Sequence, residues 1–415
     1  MSHAFDLRAA ALLALLAATP CLAQDDKPDP DAGAPGASAD EGEKPPAEEK
    51  KGAEGEKKSE GGRRKIDLKA AGARAVELLL GMQEGEDKAE WPYEGVYRVQ
   101  GEIPIGYRVG GTSIVSLALL TAPGYAEDAA RKDAVARALT FVLESREHPL
   151  MSPDYDGGYD VRGWGFTYAL LFLLRLEQQQ LVPAGQEAAV ADGAAWYLAA
   201  IQKTEIPQAG GWSYSRPRGN KPSDPCPFMT GPTLLALYQA KAQGKAVDAA
   251  VVQRALAYLE KARTSTGGVN YSGVVGERED PVPGAVGRML ATETALVLAG
   301  RSSLGNLRAA LDAFIVHWRW LEERRAKTGT HVGPYGVAPY YFYYAHHAAA
   351  QAVELLPRHE RAEYRRRVLE LLFATQREDG SWNDRVFPRT ANFGTAMSLL
   401  AIHAPQAPAL AKWSE

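Results

Sequence analysis

From about residue 66 onward, the sequence alternates two kinds of helical pattern. The first kind is amphipathic, with Arg, Lys and Glu opposite an apolar face, as in "VVQRALAYLEKA" and "YRRRVLELLFATQ". The second kind is apolar on nearly every face, as in "GFTYALLFLLRL" and "FGTAMSLLAIH". A helix that is apolar all round must be buried all round, whereas an amphipathic helix keeps one face in water. The alternation therefore predicts helix pairs in which the second helix lies inside.

The pair occurs six times, and a loop with glycine and an aromatic residue usually joins its two helices. The loops include "EWPYEG", "GGWSYS" and "DGSWND". An aromatic residue that recurs at the same place in each unit indicates a structural wedge rather than a ligand contact. These aromatic residues are Trp91, Tyr159, Trp212, Tyr271 and Trp382.

The apolar helices also share a register, because most of them carry a threonine at or near the start. The fifth helix departs from it, with His346 and His347 near that position. The threonines are Thr112, Thr167, Thr233, Thr294 and Thr395.

Six such pairs predict an all-α fold, a closed (α/α)6 toroid of about twelve helices in two concentric rings. An open superhelical solenoid of helical hairpins is the main structural alternative. A solenoid needs polar capping repeats, and the last unit, ending "AMSLLAIH", is apolar. The pattern therefore favours closure.

The N-terminal residues differ from the rest of the chain. One arginine, a short apolar run and small residues, in "LRAAALLALLAATPCLA", are typical of a secretory signal peptide, which we expect to span residues 1–23. Cleavage there removes Cys21 and leaves Cys226 as the only cysteine. We therefore expect an exported protein, periplasmic or extracellular, whose mature chain has no transmembrane segment and no internal disulfide.

Residues 24–64 are rich in Pro, Gly, Glu and Lys and contain no aromatic residue. Such a segment cannot offset its chain entropy by burying apolar surface, so we expect a disordered linker. The predicted toroid domain is residues 65–415.

The charge balance narrows the class of partner. The formal net charge is −4 at pH 7, and 46% of the residues are hydrophobic. Nucleic acids and anionic membrane surfaces require a concentrated basic face, so we exclude both as partners.

Gln376, Gly380 and Trp382 in "TQREDGSWND", followed by "FGTAMSLLAI", resemble the Q-x-x-x-G-x-W repeat of squalene and terpene cyclases. The body of the chain resembles the prenyltransferase and squalene-oxidase repeat group, a resemblance that implies an (α/α)6 barrel. A type II cyclase protonates its substrate with the middle acid of a D-x-D-D motif, which this sequence lacks.

The nearest acidic cluster is Asp154, Asp156 and Asp160 in "SPDYDGGYD". We interpret it as a turn that caps a helix start. A calcium site and a catalytic acid remain as alternatives.

A second resemblance is to the β subunits of protein prenyltransferases. It places Arg218 and Lys221 on a lipid diphosphate, and Asp224 and Cys226 on zinc. Where that family supplies a histidine as the third zinc ligand, this chain has Arg288. A catalytic zinc site normally needs three protein ligands.

No metal site is therefore favoured and no cofactor is expected. Zinc bound by Asp224, Cys226, His346 and His347 is the weak alternative, and otherwise Asp224 and Cys226 cap and line the third inner helix.

The N-termini of all inner helices meet at one mouth of a toroid, where their dipoles favour anions. We predict a ligand site there. The aromatic run from Tyr335 to His347 is interpreted chiefly as core packing, with a cavity lining as the alternative. The candidate ligand-binding residues are Arg218, Lys221, Arg288, Asp224, Tyr340, Tyr343, His346 and His347.

The incomplete catalytic signatures favour a binding module for a hydrophobic or anionic small molecule, or for a protein. The alternative is a non-standard prenyltransferase or terpene-cyclase-type enzyme that acts on an isoprenoid. Catalytic residues are unknown from the sequence.

Overall fold

The structure is a computed structural model that describes residues 66–155, 161–214, 224–274, 276, 279–329, 331–338 and 341–414. Within these ranges the chain forms twelve α-helices, which alternate between an outer and an inner ring. The outer helices are α1 (Leu68–Gly81), α3 (Ala129–Glu144), α5 (Glu187–Lys203), α7 (Ala249–Lys261), α9 (Leu304–Glu322) and α11 (Arg358–Phe373). The inner helices are α2 (Ile105–Thr121), α4 (Arg162–Gln178), α6 (Pro227–Ala242), α8 (Val282–Leu298), α10 (Tyr341–Val353) and α12 (Ala391–Ile402).

The two rings begin their helices differently. Four outer helices start with a side chain that accepts a hydrogen bond from the first turn, as capping requires. Several inner helices start at a proline, whose missing N–H costs nothing in the first turn. The capping residues of the outer helices are Asp67, Asp128, Asp248 and Ser303.

The inner helices form a closed ring. Each packs against the next along the chain, and α12 packs against α2. Asn392 Nδ2 donates a hydrogen bond to the Pro92 carbonyl oxygen across this seam, at 2.9 Å. Each outer helix packs on the inner helix before it, and α1 packs on α12. This closure confirms the predicted α/α toroid, and the open solenoid alternative is wrong.

A recurring clamp holds the loops of the first, third and sixth units. The buried indole of Trp382 donates from Nε1 to the Leu372 carbonyl oxygen of the outer helix at 3.1 Å. Its backbone N–H donates to Thr395 Oγ1 of the inner helix at 3.1 Å. The predicted wedge is thus confirmed in three units, since Trp91 and Trp212 are held in the same way.

The register of the clamp differs from the prediction in the third unit. There Thr230, not Thr233, accepts the hydrogen bond from the tryptophan N–H, at 3.0 Å. Thr233 instead shares a hydrogen bond of 2.8 Å with Thr167 of the neighbouring inner helix.

Glycines allow the clamp to close. Gly111 and Gly394 directly precede the clamp threonines of α2 and α12. A Cβ atom at Gly394 would lie 2.5 Å from the Trp382 carbonyl oxygen, and one at Gly111 would lie equally close to the Trp91 carbonyl oxygen, at 2.4 Å. The loops therefore approach the inner helices as closely as the backbone permits.

No helix in the described ranges is long and apolar enough to cross a membrane. Residues 1–65 lie outside the described residues, so the signal peptide and the linker stay predictions.

Candidate functional site

The N-terminal ends of three inner helices are packed together by aromatic side chains. Trp164, near the start of α4, lies 5.4 Å from Tyr93 and 6.1 Å from Phe393 between ring centroids. Tyr107 completes this cluster, 5.1 Å from Tyr93. Such edge and tilted contacts are favourable aromatic geometries. These rings fill the space between the N-terminal ends of α2, α4 and α12.

A second aromatic contact crosses the ring between α6 and α10. Phe228 lies 4.3 Å from Tyr344 and 5.9 Å from Tyr214 between ring centroids. Tyr344 Oη donates a hydrogen bond to the Phe228 carbonyl oxygen at 3.3 Å.

A cavity of about 400 Å³ occupies the opposite half of the ring, toward the C-terminal ends of the inner helices. Its volume falls within the range of small-molecule sites, about 300–1,000 Å³. Residues from all six inner helices contribute to its lining. The apolar and aromatic lining residues include Leu117, Tyr168, Leu171, Leu235, Leu298, Tyr344, Ala348, Leu355 and Leu400.

Arg175, in the last turn of α4, lines this cavity. Burial lowers the pKa of its guanidinium to about 10, because the charged form loses its hydration. Its Nη1 donates to Thr121 Oγ1 at 3.3 Å. No ion pair joins Arg175 to any carboxylate of the described chain. The cavity therefore has a positive charge on its wall, on a side chain that is partly exposed.

His347 lines the cavity from α10. Burial, with a smaller contribution from the nearby Arg175 charge, lowers the pKa of His347 to about 4. The imidazole is therefore neutral at pH 7, and its buried Nδ1 has no hydrogen-bond partner.

The charged groups at the cavity rim are already in ion pairs or reach solvent. Glu354 accepts from Arg365 at 2.7 Å and lies 3.7 Å from Arg361. Lys412 lines the cavity from the C-terminal segment and is exposed.

The C-terminal segment, residues 404–413, runs across the open end of the cavity. Most of its residues from Ala404 to Lys412 belong to the lining. It is fixed at its far end, where the Trp413 N–H donates to the Leu298 carbonyl oxygen at 3.0 Å. The Trp413 ring also packs on Tyr238, at 5.7 Å between centroids. This segment is the cover of the cavity.

The structure describes five of the eight sequence-predicted site residues. Among them, Arg288 is 3% exposed and is held within the fold. Its guanidinium donates to the carbonyl oxygens of Val269 and Gly284 and to Asp280 Oδ2, at 3.1, 3.1 and 3.2 Å. The predicted residues Arg218, Lys221 and Tyr340 lie outside the described residues.

Two predicted residues of α10 lie in the core between the rings. Tyr343 is buried and donates to Thr375 Oγ1 at 3.3 Å. His346 accepts a hydrogen bond from Trp318 Nε1 at 2.9 Å, and its Nδ1 donates to the Phe342 carbonyl oxygen at 2.8 Å. Both imidazole nitrogens are thus occupied. Of the predicted histidines, His347 is the one that lines the cavity.

The residues considered for zinc lie on two inner helices, with Asp224 and Cys226 at the start of α6 and His346 and His347 on α10. Burial raises the pKa of the Cys226 thiol to about 12. Asp224 is exposed beside it, at the start of α6. In the described part of the chain, no group of three or more His, Cys, Asp or Glu side chains is placed to hold a metal ion.

Of the acidic cluster before α4, Asp154 pairs with Lys203 at 2.5 Å on the surface. Asp156 and Asp160 lie outside the described residues.

One buried carboxyl group was not anticipated. Asp384, in the loop before α12, is fully buried, and neither of its oxygens has a well-formed hydrogen bond. Burial raises its pKa to about 7, against the opposing charges of Arg385 and Arg325. Asp384 does not line the 400 Å³ cavity.

Arg175 was also missed, although the sequence carries a signal for it. It is a charged residue near the end of the apolar run "GFTYALLFLLRL". A charge in a helix that is buried all round needs a partner or a function.

Comparisons with known proteins bear on the fold. No family model matches the chain. No curated protein matches the chain significantly. An unsaturated glucuronyl hydrolase from Bacillus sp. GL1 matches with a TM-score of 0.56 and 11% identity, over 84% of this chain and 99% of the hydrolase.

Two further solved structures are similar over nearly their whole length. The α-1,6-mannanase GH76A from Salegentibacter sp. HEL1_6 matches with a TM-score of 0.53 and 12% identity, over 82% of this chain and 100% of the mannanase. The type II terpene cyclase MstE from Scytonema matches with a TM-score of 0.51 and 15% identity, over 82% and 98%. Likeness at this level of identity shows a shared α/α toroid fold and does not carry an activity with it.

Proposed function

We propose that this protein is an exported binding module that holds a small, largely apolar molecule in the cavity between its inner helices. The observation that carries the proposal is the cavity itself, about 400 Å³ in volume and lined mainly by leucine, alanine and tyrosine side chains. Empty apolar space in a close-packed interior is costly, so a ligand would stabilise the fold.

The chemistry of the lining supports binding rather than catalysis. Its one described carboxyl group, Glu354, is held by two arginines. His347 has a pKa of about 4, far from the value near neutrality that favours an acid or base catalyst. Two further parts of the proposal rest on the sequence alone. They are export, from the signal-peptide pattern of residues 1–23, and a flexible linker, from the composition of residues 24–64.

The test uses the full chain and a neutral apolar probe, N-phenyl-1-naphthylamine, whose fluorescence rises in an apolar site. Leu235→Trp places a bulky indole ring in the cavity wall and should weaken probe binding at least tenfold. Leu304→Trp, the same substitution on an exposed residue of an outer helix, is the matched control and should bind as wild type does. Thermal unfolding of both variants shows that each is folded.

Two results would overturn the proposal. One is a wild type that does not bind the probe. The other is a folded Leu235→Trp variant that binds it with unchanged affinity. If wild type binds the probe and Leu235→Trp binds it more weakly, native mass spectrometry of protein from its own host would identify the retained molecule.

A second candidate function is an isoprenoid enzyme of terpene-cyclase or prenyl-transfer type. One observation favours it, since the buried carboxyl of Asp384 has a pKa of about 7, which suits a proton donor near neutrality. Because Asp384 does not line the 400 Å³ cavity, the substrate of such an enzyme would have to lie outside that cavity. Incubation with geranylgeranyl diphosphate and mass analysis of the products tests it. A product that Asp384→Asn does not make would support the enzyme, and unchanged substrate would contradict it.

A further inference from the structure

We infer that the ligand of the cavity is an amphipathic anion, with its single acidic group on Arg175 and its apolar body among the leucine side chains. This inference rests on the proposed function, because it names the chemical class that the same cavity would take.

The first support is the bonding of Arg175. A guanidinium has five N–H donors in a planar fork, which matches the two oxygens of a carboxylate or a phosphate. Arg175 uses one donor, in a long hydrogen bond to Thr121. Removing such a charge from water without a counter-ion is costly, and the lowered pKa of the group reflects that cost.

Two buried arginines elsewhere in the fold, Arg131 and Arg288, are paired within the chain. Arg131 donates to Asp128 at 2.7 Å, and Arg288 donates to Asp280 at 3.2 Å. Each therefore has its counter-ion built in. Arg175 differs because it lines the cavity and forms no ion pair with a described carboxylate.

The carboxylates closest in the sequence and in the cavity are committed to other cations. Glu177, two residues after Arg175, accepts from Lys245 at 2.8 Å. Glu354 is shared by Arg361 and Arg365. Neither of these carboxylates forms an ion pair with Arg175.

The balance of charge in the lining also favours an anion. Three cationic residues, Arg175, Arg361 and Lys412, line the cavity with one carboxylate, Glu354. His347 adds no charge at pH 7, and its ring and the Thr294 hydroxyl provide polar atoms that lack partners in the fold. Because the site is partly shielded from water, its net positive charge attracts an anion more strongly than the same charge would in water.

The amount of apolar lining indicates the rest of the ligand. Leucine and alanine side chains surround the space below Arg175, so an inorganic anion alone would leave most of the cavity empty. A fatty-acid-like carboxylate and a lipid-like monophosphate share the required chemistry, an acidic group on an apolar chain.

The experiment compares three probes with the same ten-carbon chain, namely decanoate, decyl phosphate and decanol, by titration calorimetry below their aggregation limits. Wild type should bind at least one of the two anions about tenfold more tightly than decanol, the size expected of one charge-assisted hydrogen-bonded pair. The stronger anion identifies the acidic group. Arg175→Met should abolish the preference while still binding decanol, and Arg175→Lys should retain part of it.

The outcomes separate this inference from the proposed function. If none of the three probes binds to folded wild type, both fail. If decanol and the two anions bind equally well to wild type, the cavity binds ligands but the anion inference is wrong. An unchanged preference in Arg175→Met also overturns it. If Arg175→Met does not fold, Arg175→Lys and Arg175→Gln provide the same comparison.

Discussion

Contacts between single atoms explain why particular residue types occur in the clamp. Gly394 lies against the backbone of the loop that carries Trp382, and this loop is held by hydrogen bonds to α11 and α12. The neighbour of a new Cβ atom would be a carbonyl oxygen of the backbone, which cannot move aside as a flexible side chain can.

We therefore expect Gly394→Ala to destabilise the protein by about 1–3 kcal/mol, the usual cost of overpacking a core. Gly81→Ala is the matched control, because Gly81 ends α1 and has no atom within 4 Å of a new Cβ. The control should be neutral or slightly stabilising, since alanine favours the helix. Urea unfolding measures both, and equal effects of the two substitutions would contradict this account.

Asp384 predicts a pH dependence of stability. Its pKa is raised from 3.8 to about 7 in the folded protein, so the folded state keeps a proton that the unfolded state releases. Its contribution to stability is therefore full below about pH 4 and is lost as the pH rises through 7.

Asp384→Asn does not titrate, so its stability relative to wild type should increase from pH 4 to pH 7. The increase has an upper limit of about 1.4 kcal/mol per pH unit. His346 and His347 titrate in the opposite sense in both proteins, and their contribution cancels in the comparison. Urea unfolding at several pH values provides the measurement, and a difference that does not change with pH would show that folding does not raise the pKa of Asp384.

At the level of residues, the sequence predicted which side chains pack in the core better than it predicted which side chains line the cavity. The tryptophan wedge could be predicted because it recurs at one position in each unit. Whether Arg175 has a counter-ion depends on which residues face it from other helices, and the periodicity of the sequence does not contain that information. His347 was a candidate, but the sequence does not separate it from its neighbour His346, which points toward Trp318.

Among the elements, the C-terminal segment carries the next prediction. Residues 404–413 cover the cavity and are anchored through Trp413. Trp413→Ala removes the ring contacts with Tyr238 and Lys241 but keeps the backbone. Loss of an aromatic anchor weakens the cover by about 0.5–1.5 kcal/mol beyond the lost buried area.

We expect the dissociation rate of N-phenyl-1-naphthylamine to rise several-fold in Trp413→Ala, because the cover opens more often. Stopped-flow displacement measures this rate. Ser414→Ala, next along the chain and exposed, should leave it unchanged. An unchanged rate in a folded Trp413→Ala variant would mean that the ligand leaves by another route.

The inner helices show where element-level prediction stops. Their apolar pattern predicted their buried position, and the structure confirms it. The helix dipoles predict a ligand site at their N-terminal ends, and that site stays a prediction. The cavity of about 400 Å³ lies toward their C-terminal ends. Between the N-terminal ends of α2, α4 and α12 the space is filled by the rings of Tyr93, Trp164 and Phe393, which a dipole argument does not count.

For the whole molecule, the toroid was predictable because one simple pattern is repeated along most of the chain. Each pair of helices buries its apolar stripe against its neighbours, and a ring is the arrangement in which no unit is left uncovered. The function was not predictable in the same way, because proteins with this fold include a terpene cyclase and a mannanase. The fold determines where a cavity can form, and the side chains in it determine the ligand.

The seam between α12 and α2 also sets the order in which the protein is completed during synthesis. Helices α2 to α11 meet neighbours that are close in the sequence, so they can pack soon after they leave the ribosome. The first two helices wait for α12, whose Asn392 must reach a carbonyl group 300 residues earlier. Closing so long a loop is slow, and apolar faces of α1 and α2 stay uncovered meanwhile. We therefore expect a growing chain of this protein to expose these apolar faces until its last helix has been made.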